Sequence, residues 1–372
     1  MDPETLRSEI PAFEECIYLN WGASGPSPEA VVDAAAEFER YHQYESPAGE
    51  GMYAAADEAT ASAREAVAGL LATQSENVAL TQSTADGINH VATSIDWQPG
   101  DVVVRTDTEH SAARLPWERM ADRYGIEIRV LETTDGQLDL DELKTAVSDA
   151  RLLCFNSPTW SYGNRQPVEK IVDIAHDAGA RVLVDAVQAP GQQPVAVEQW
   201  GADFVAGSGH KWLLGVWGAG FLYVSDDALD ALEPTRIGYY SVEDYSADQY
   251  AFYDDARKFD LGTRSLAPFV ALETAIERMQ SVGLDRIDQR ITRLSDRLKD
   301  GLGDRLLSPR DSQSGLVTFA ADDPERTVER LAERGIQIRS LPDPDACRAS
   351  VHAVNTEADI DRLLDALADI DG

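Results

Sequence analysis

Between residues 75 and 225 the chain sets seven short strand-like runs in alternation with stretches whose apolar residues recur at helical spacing. The runs are VALTQS (78–83), DVVVRT (101–106), IEIRVLE (126–132), RLLCFN (151–156), RVLVDA (181–186), FVAGSG (204–209) and GAGFLYV (218–224). Helical patterns lie between them at 86–94, 111–124, 139–148 and 168–178. Strands joined through a helix run side by side in one direction, because only a crossover connection is long enough to hold the helix. The order therefore predicts an α/β fold, a mostly parallel seven-stranded sheet with helices on both faces. Such sheets bind ligands beyond the carboxyl ends of their strands, and functional residues are sought there.

The flanks have a different texture. A strand-like IYLN (17–20) and a turn-rich WGASGPSP (21–28) precede helices predicted from Glu29 and Asp57, with Ser27 as an N-cap and Pro28 in the first turn. After residue 265 come a long helical pattern (267–301), a strand GLVTFA (315–320), a helix (324–334), strands IQIRS (336–340) and RASVHAV (348–354), and a last helix (357–369). The expected organisation is a large α/β domain over 15–265, a smaller α+β domain over 266–372, and an N-terminal arm over 1–14.

Acidic residues number 66 against 32 basic ones, a net charge of −34, and only five of the basic residues are lysines: Lys144, Lys170, Lys211, Lys258 and Lys299. A surface this negative repels phosphate backbones and anionic membranes, which excludes nucleic-acid binding by charge neutralisation. It also predicts life in concentrated salt, where the Debye length falls to about 3 Å at 1 M and screens the self-repulsion; a halophilic archaeon is the expected source. Cys16, Cys154 and Cys347 are too few and too scattered for a disulfide framework, and no paired spacing suggests a metal. With no basic-then-apolar start and no long uncharged apolar stretch, a cytoplasmic protein is expected.

The segment that carries most chemistry is VLVDAVQAPGQQPVAVEQWGADFVAGSGHKWLLGVWGAGFLYV, residues 182–224. Asp185 ends one predicted strand, Gln188 follows it, and Ser208, His210 and Lys211 lie at the end of the next. In a parallel sheet both ends open on one edge, so a carboxylate, an amide, a hydroxyl and an amine converge. Pyridoxal phosphate requires that set. The amine joins the aldehyde as a Schiff base, the carboxylate keeps the pyridine nitrogen protonated, and the hydroxyl with nearby N–H groups holds phosphate. Singly, each residue has a plainer reading as a cap, a surface amide or a solvated cation. Together, with one of five lysines in a glycine-flanked apolar setting, they favour the functional one.

Along nearly its whole length the chain resembles the class V aminotransferase family of fold-type I pyridoxal phosphate enzymes, which includes cysteine desulfurases, cystine lyases and isopenicillin N epimerase. YLNWGASGPSPEAV is similar to the family's N-terminal segment, TQSTADGINHVA to its phosphate-binding turn and helix, and DTEHSAARLPW to the segment with the ring-stacking histidine. VDAVQAPGQQPV and SGHKW match the cofactor motifs, FDLGT a segment that crosses a dimer, and RASVHAVNTEADIDRLL the substrate-binding strand and helix. The resemblance implies Lys211 as the Schiff-base lysine, Asp185 as partner of the pyridine nitrogen, Gln188 on the phenolic oxygen and His110 stacked on the ring. It implies Thr84, Ala85 through its backbone, Ser208 and His210 around the phosphate. Thr263 would reach the neighbouring subunit's phosphate in a homodimer. Arg348 would take the substrate carboxylate, with Ala23 and Trp160 beside the substrate. His42, His90, His176 and His352 are read as structural.

One departure bears on the reaction. Cysteine desulfurases carry a cysteine thiolate on a loop before the carboxylate-binding arginine, but here only SLPDPDAC separates Arg339 from Arg348. Cys347 adjoins Arg348, and neighbours in an extended strand point to opposite faces. The short link, and Trp160 where desulfurases usually have asparagine, resemble the cystine lyase branch. The expected reaction is therefore β-elimination across a carbon–sulfur bond of an amino acid, with transamination, epimerisation and desulfuration as alternatives and non-catalytic cofactor binding as a further one.

Overall fold

The computed structural model describes residues 1–371. Among the described residues, twelve strands form three sheets. They are β1 (Ile17–Tyr18), β2 (Val78–Thr81), β3 (Val102–Thr106), β4 (Glu127–Leu131), β5 (Ala150–Asn156), β6 (Arg181–Asp185), β7 (Phe204–Ser208), β8 (Gly220–Val224), β9 (Leu316–Phe319), β10 (Ile336–Gln337), β11 (Arg339–Pro342) and β12 (Asp345–Ser350). The seven runs between 75 and 225 become one sheet in the order β2-β8-β7-β6-β5-β3-β4. Only β8 is antiparallel to its neighbours. Because β7 and β2 both oppose β8, the carboxyl ends of β2, β3, β5, β6 and β7 share one edge, where β8 begins.

The pleat divides the core. Val78, Leu80, Val102, Val104, Leu153, Phe155, Val182, Val184 and Val205 point into one buried cluster, while Ala79, Val103, Leu152, Cys154, Leu183, Phe204 and Ala206 point into another. Helices Met52–Leu71, Val168–Asp177 and Ala267–Val282 cover the first face, and helices Thr84–Ser94 and Ser111–Tyr124 cover the second. Burying one Leu or Val side chain stabilises by roughly 1.5–3 kcal/mol, so this two-sided run of aliphatic strand residues anchors the fold.

Several local expectations are corrected. The helix expected from Asp57 begins at Met52, after Gly51 at φ 93°. Ser27 does not cap the next helix; Pro28 occupies the N-cap position and the Glu29 N–H donates to the Glu9 carbonyl, 2.8 Å away. The pattern over 267–301 is two helices, Ala267–Val282 and Leu284–Leu302, broken at Gly283, whose φ of 94° no β-carbon-bearing residue adopts without strain. IQIRS divides between β10 and β11, and the last strand lies earlier than expected, at Asp345–Ser350.

β11, β12 and β9 form an antiparallel sheet in that order, and β1 pairs with β10 in parallel. A third core joins these strands to helices Leu284–Leu302 and Glu357–Asp371 and includes Leu19 from the N-terminal region. Helix Ala267–Val282 buries Phe269, Leu272, Ile276 and Met279 in the large sheet's core, so a boundary after residue 265 runs between this helix and the sheet it covers.

Candidate active site

Strand ends place most of the expected residues together. Asp185 closes β6 and is 2% exposed; its Oδ1 accepts from the Val187 N–H at 3.1 Å. Burial raises its pKa, the backbone hydrogen bond opposes that, and nearby Lys211 opposes it further. Ser208 closes the adjacent β7, and its Oγ lies 2.7 Å from Thr84 Oγ1. Thr84 and Ala85 open helix Thr84–Ser94, where backbone N–H groups lack intrahelical acceptors. Ser83 caps this helix by accepting from the Asp86 N–H at 3.2 Å. Gly220 is required behind that turn: a Cβ there would sit 2.8 Å from the Gly207 carbonyl oxygen and 2.9 Å from Ser83 backbone atoms.

Lys211 follows in a turn closed by Gly215 N–H donating to the Gly209 carbonyl, 2.9 Å. Its amine makes no hydrogen bond or ion pair with a described residue. Burial draws its pKa from 10.5 down to about 8, Asp185 pulls it upward, and Arg348 and Arg339 lower it further. His210 is held near 4 by burial and then by Lys211. The WGASG segment packs onto this turn: Gly25 N–H donates to the His210 carbonyl at 2.7 Å, and a Cβ on Gly25 would lie 2.3 Å from the Lys211 carbonyl oxygen. Ala23 sits in the same turn, its N–H on the Asn20 carbonyl.

Gln188 has a fixed amide orientation. Trp212 Nε1 donates to its Oε1 at 2.7 Å and its Nε2 donates to the Gly22 carbonyl at 3.0 Å, leaving one amide hydrogen without a protein acceptor. His110 caps helix Ser111–Tyr124 by accepting from the Ala112 N–H at 3.2 Å and is partly open to solvent. Partial burial, then Lys211, Arg339 and Arg348, keep it below its ordinary pKa. Trp160 meets His110 edge-to-face at 5.5 Å and donates to the Thr108 carbonyl at 2.8 Å.

From β12 comes Arg348, fully buried, its Nη1 donating to the Trp160 carbonyl at 2.6 Å. Its Nε and Nη2 have no partner, and it is in no ion pair among the described residues. Burial, reinforced by Arg339, draws its pKa down to about 9. A buried guanidinium with an open fork is shaped for a carboxylate, since an unpaired buried charge is costly. Gly22 leaves room for it: a Cβ there would lie 2.9 Å from Nη2.

Two site residues were missed in the sequence. Arg339 is directly opposite Arg348 across the β11–β12 pair, so both side chains share a face. The signal was available: both are equidistant from the Asp343–Pro344 turn. Glu109 is buried beneath the same edge, its Oε1 accepting from Thr106 Oγ1 at 2.6 Å and from Asn156 N and Nδ2 at 3.0 and 2.8 Å. Its position before His110 showed nothing of this. Thr263 is not in the cluster; it is exposed and lines a cavity of about 640 Å³ with Tyr53, Arg64, Tyr240 and Tyr253, which neither Lys211 nor Asp185 lines.

Pyridoxal phosphate fits this donor set. There is a free amine for the aldehyde, a buried carboxylate with one backbone donor for the ring nitrogen, and a helix start with two hydroxyls for phosphate. Residues 17–363 match the family Aminotransferase class-V. The chain belongs to the class V aminotransferase family. A probable cysteine desulfurase of Methanothermobacter thermautotrophicus is 34% identical, covering 100% of this chain and 99% of that protein. The cystine C-S lyase C-DES, solved with its reaction product cysteine persulfide, is 27% identical with a TM-score of 0.91, covering 97% of this chain and 99% of that one. A lysine-to-alanine mutant of C-DES holds glycine covalently linked to its pyridoxal phosphate; it is 26% identical with a TM-score of 0.92, over 98% and 99% of the two chains. The chain thus falls in the cysteine desulfurase and C-DES branch of the class V aminotransferases, an enzyme family with the fold-type I architecture.

Proposed function

We propose that the chain uses pyridoxal 5'-phosphate to cleave a carbon–sulfur bond of a cysteine- or cystine-like amino acid by β-elimination. The observation that carries this reading is the convergence of the unpartnered amine of Lys211, the buried carboxylate of Asp185 and the open guanidinium of Arg348. Lys211 holds the cofactor's aldehyde, Asp185 its ring nitrogen and Gln188 its phenolic oxygen, and His110 covers the ring. Thr84, the Ala85 N–H, Ser208 and His210 hold its phosphate. When bound, the cofactor supplies an electron sink for the pair released at the substrate α-carbon.

Arg348 takes the substrate's α-carboxylate, with Ala23 and Trp160 bordering the substrate. Lys211 Nζ takes the α-proton, for which an amine with a pKa of about 8 is well matched near neutral pH. The sulfur on the β-carbon leaves with its bonding pair, and hydrolysis of the remaining fragment yields pyruvate and ammonia. Arg339, a second guanidinium on the same face, favours a substrate with a second carboxylate, as cystine has.

Elimination is preferred to persulfide transfer because Cys347 turns away from Arg348. Its Sγ lies 3.6 Å from the Pro324 carbonyl in the third core, and burial pushes the thiol up to about 12. Cys154 is buried in the second core and Cys16 lies beside Ala12. A homodimer is part of the proposal, with Thr263 reaching the partner's phosphate.

The test is product analysis of the holoenzyme with cystine, cysteine and cysteine conjugates, with and without a keto acid. Pyruvate without an acceptor, in both wild type and Cys347→Ser, is the expected result. Amino-group transfer dependent on a keto acid would replace elimination by transamination. Alanine with sulfur transfer abolished in Cys347→Ser would restore desulfuration.

A further inference from the structure

Glu109 is a second carboxyl beside Asp185, and the site chemistry does not use it. It is 5% exposed. Oε1 accepts three hydrogen bonds, from Thr106 at the end of β3 and from the backbone and side chain of Asn156 at the end of β5. Oε2 is buried with no partner, and so is Asn156 Oδ1. Asn156 is the register partner of Asp185 in the adjoining strand. The titratable or charged groups around Glu109 are Asp185 on β6, Cys154 on β5, Arg105 on β3 and its own neighbour His110. Arg105 turns its guanidinium to the Thr106 carbonyl, and Glu109 forms no ion pair with a described residue.

Two buried carboxylates within electrostatic reach of each other disfavour double ionisation, and the one with less compensating charge retains its proton. Asp185 has Lys211 to offset its charge, whereas Glu109 has only neutral donors, all on one oxygen. We propose that Glu109 is a neutral carboxylic acid in the working protein and acts as a positioning residue. It clamps the ends of β3 and β5 through Oε1 while leaving Asp185 as the single negative charge that would meet the cofactor's ring nitrogen. The protonation state stands on this chain's own geometry; the consequence for the ring rests on the proposed pyridoxal phosphate site.

Burial raises the carboxyl to about 8; the Thr106 hydrogen bond opposes this, Asp185 adds to the rise, and the two hydrogen bonds from Asn156 oppose it, without overcoming burial. Glu109 therefore ionises only as pH rises through about 8, and a second negative charge then appears within reach of Asp185. Infrared difference spectra of the full chain, wild type minus Glu109→Gln, test this with and without pyridoxal phosphate. A protonated-carboxyl band at neutral pH that shifts in heavy water and fades as pH rises through about 8 is expected. Carboxylate bands alone at neutral pH would overturn the proposal. If Glu109→Gln fails to fold, Glu109→Met, which also lacks a titrating carboxyl, takes its place in the difference spectrum and separates the same two outcomes.

A second measurement follows the bound cofactor's absorption against pH. Wild type and Glu109→Gln should coincide below pH about 7 and diverge above about 8, because an amide mimics the neutral acid but not the anion. Divergence already at neutral pH would overturn the positioning role. If neither protein binds the cofactor, the functional reading fails while the infrared result still decides the state of Glu109.

Discussion

The proposed chemistry turns on one side chain, Lys211. Removing an ammonium from water without a close hydrogen-bonded partner destabilises the charged form, so the amine titrates near 8 rather than 10.5. Since only the neutral amine attacks an aldehyde, the rate at which the apoprotein captures pyridoxal phosphate should rise with pH and level off above about 8. Stopped-flow absorbance checks this, and a rate still climbing steeply at pH 10 would contradict the site's geometry. Arg348 invites a comparable test. Arg348→Lys keeps a cation but loses the planar fork, and a loss of about 2–3 kcal/mol, some 30- to 150-fold in kcat/KM, is expected. Arg339→Lys should weaken cystine more than cysteine, measured as the ratio of the two kcat/KM values, if it reads a second carboxylate.

At the scale of elements, the proposed phosphate end of the site is a packing problem before it is a binding one. The turn into helix Thr84–Ser94 rests on the backbone of β8, and Gly220 permits that approach. Gly220→Ala should push Ser83 away and loosen the Thr84–Ser208 pair. Cofactor affinity should fall by about tenfold, equivalent to one hydrogen bond of roughly 1.4 kcal/mol, in a fluorescence titration. An unchanged affinity would mean that the turn adapts and Gly220 has no such role. The alternation of strands and helices made this sheet legible, because period-two and helical spacings are properties of the chain. Gly283 shows the limit: a helical pattern on both sides hid a break that depends on how Leu284–Leu302 leaves the large core for the small one.

For the whole molecule, the charge of −34 and the placement of the lysines make one argument. Lys258 and Lys299 are buried, donating to backbone carbonyls, and Lys211 is in the site, so only Lys144 and Lys170 are on the surface. A surface nearly free of lysine and rich in carboxylates repels itself unless screened, and screening is close-range once the Debye length falls to about 3 Å at 1 M salt. The thermal midpoint should therefore rise steadily as potassium chloride is raised from about 0.1 M to about 2 M. Full stability in salt-free buffer would sink that expectation. No described helix is long and apolar enough to cross a membrane.

The sequence by itself determined the sheet and the strand ends and turns that bring Asp185, Gln188, Ser208 and Lys211, the proposed cofactor set, to one edge, because strand periodicity and the residues that close each strand are local facts. Tertiary structure alone decided what surrounds them. Arg339 came to the site through a hairpin register, Glu109 through the packing of β3 against β5, and Cys347 left it by facing the third core. Hairpin spacing and strand alternation made the faces of Arg339 and Cys347 legible, but which core or site each face meets, and the burial of Glu109 at all, depends on contacts between residues far apart in the chain, where burial and charge act together.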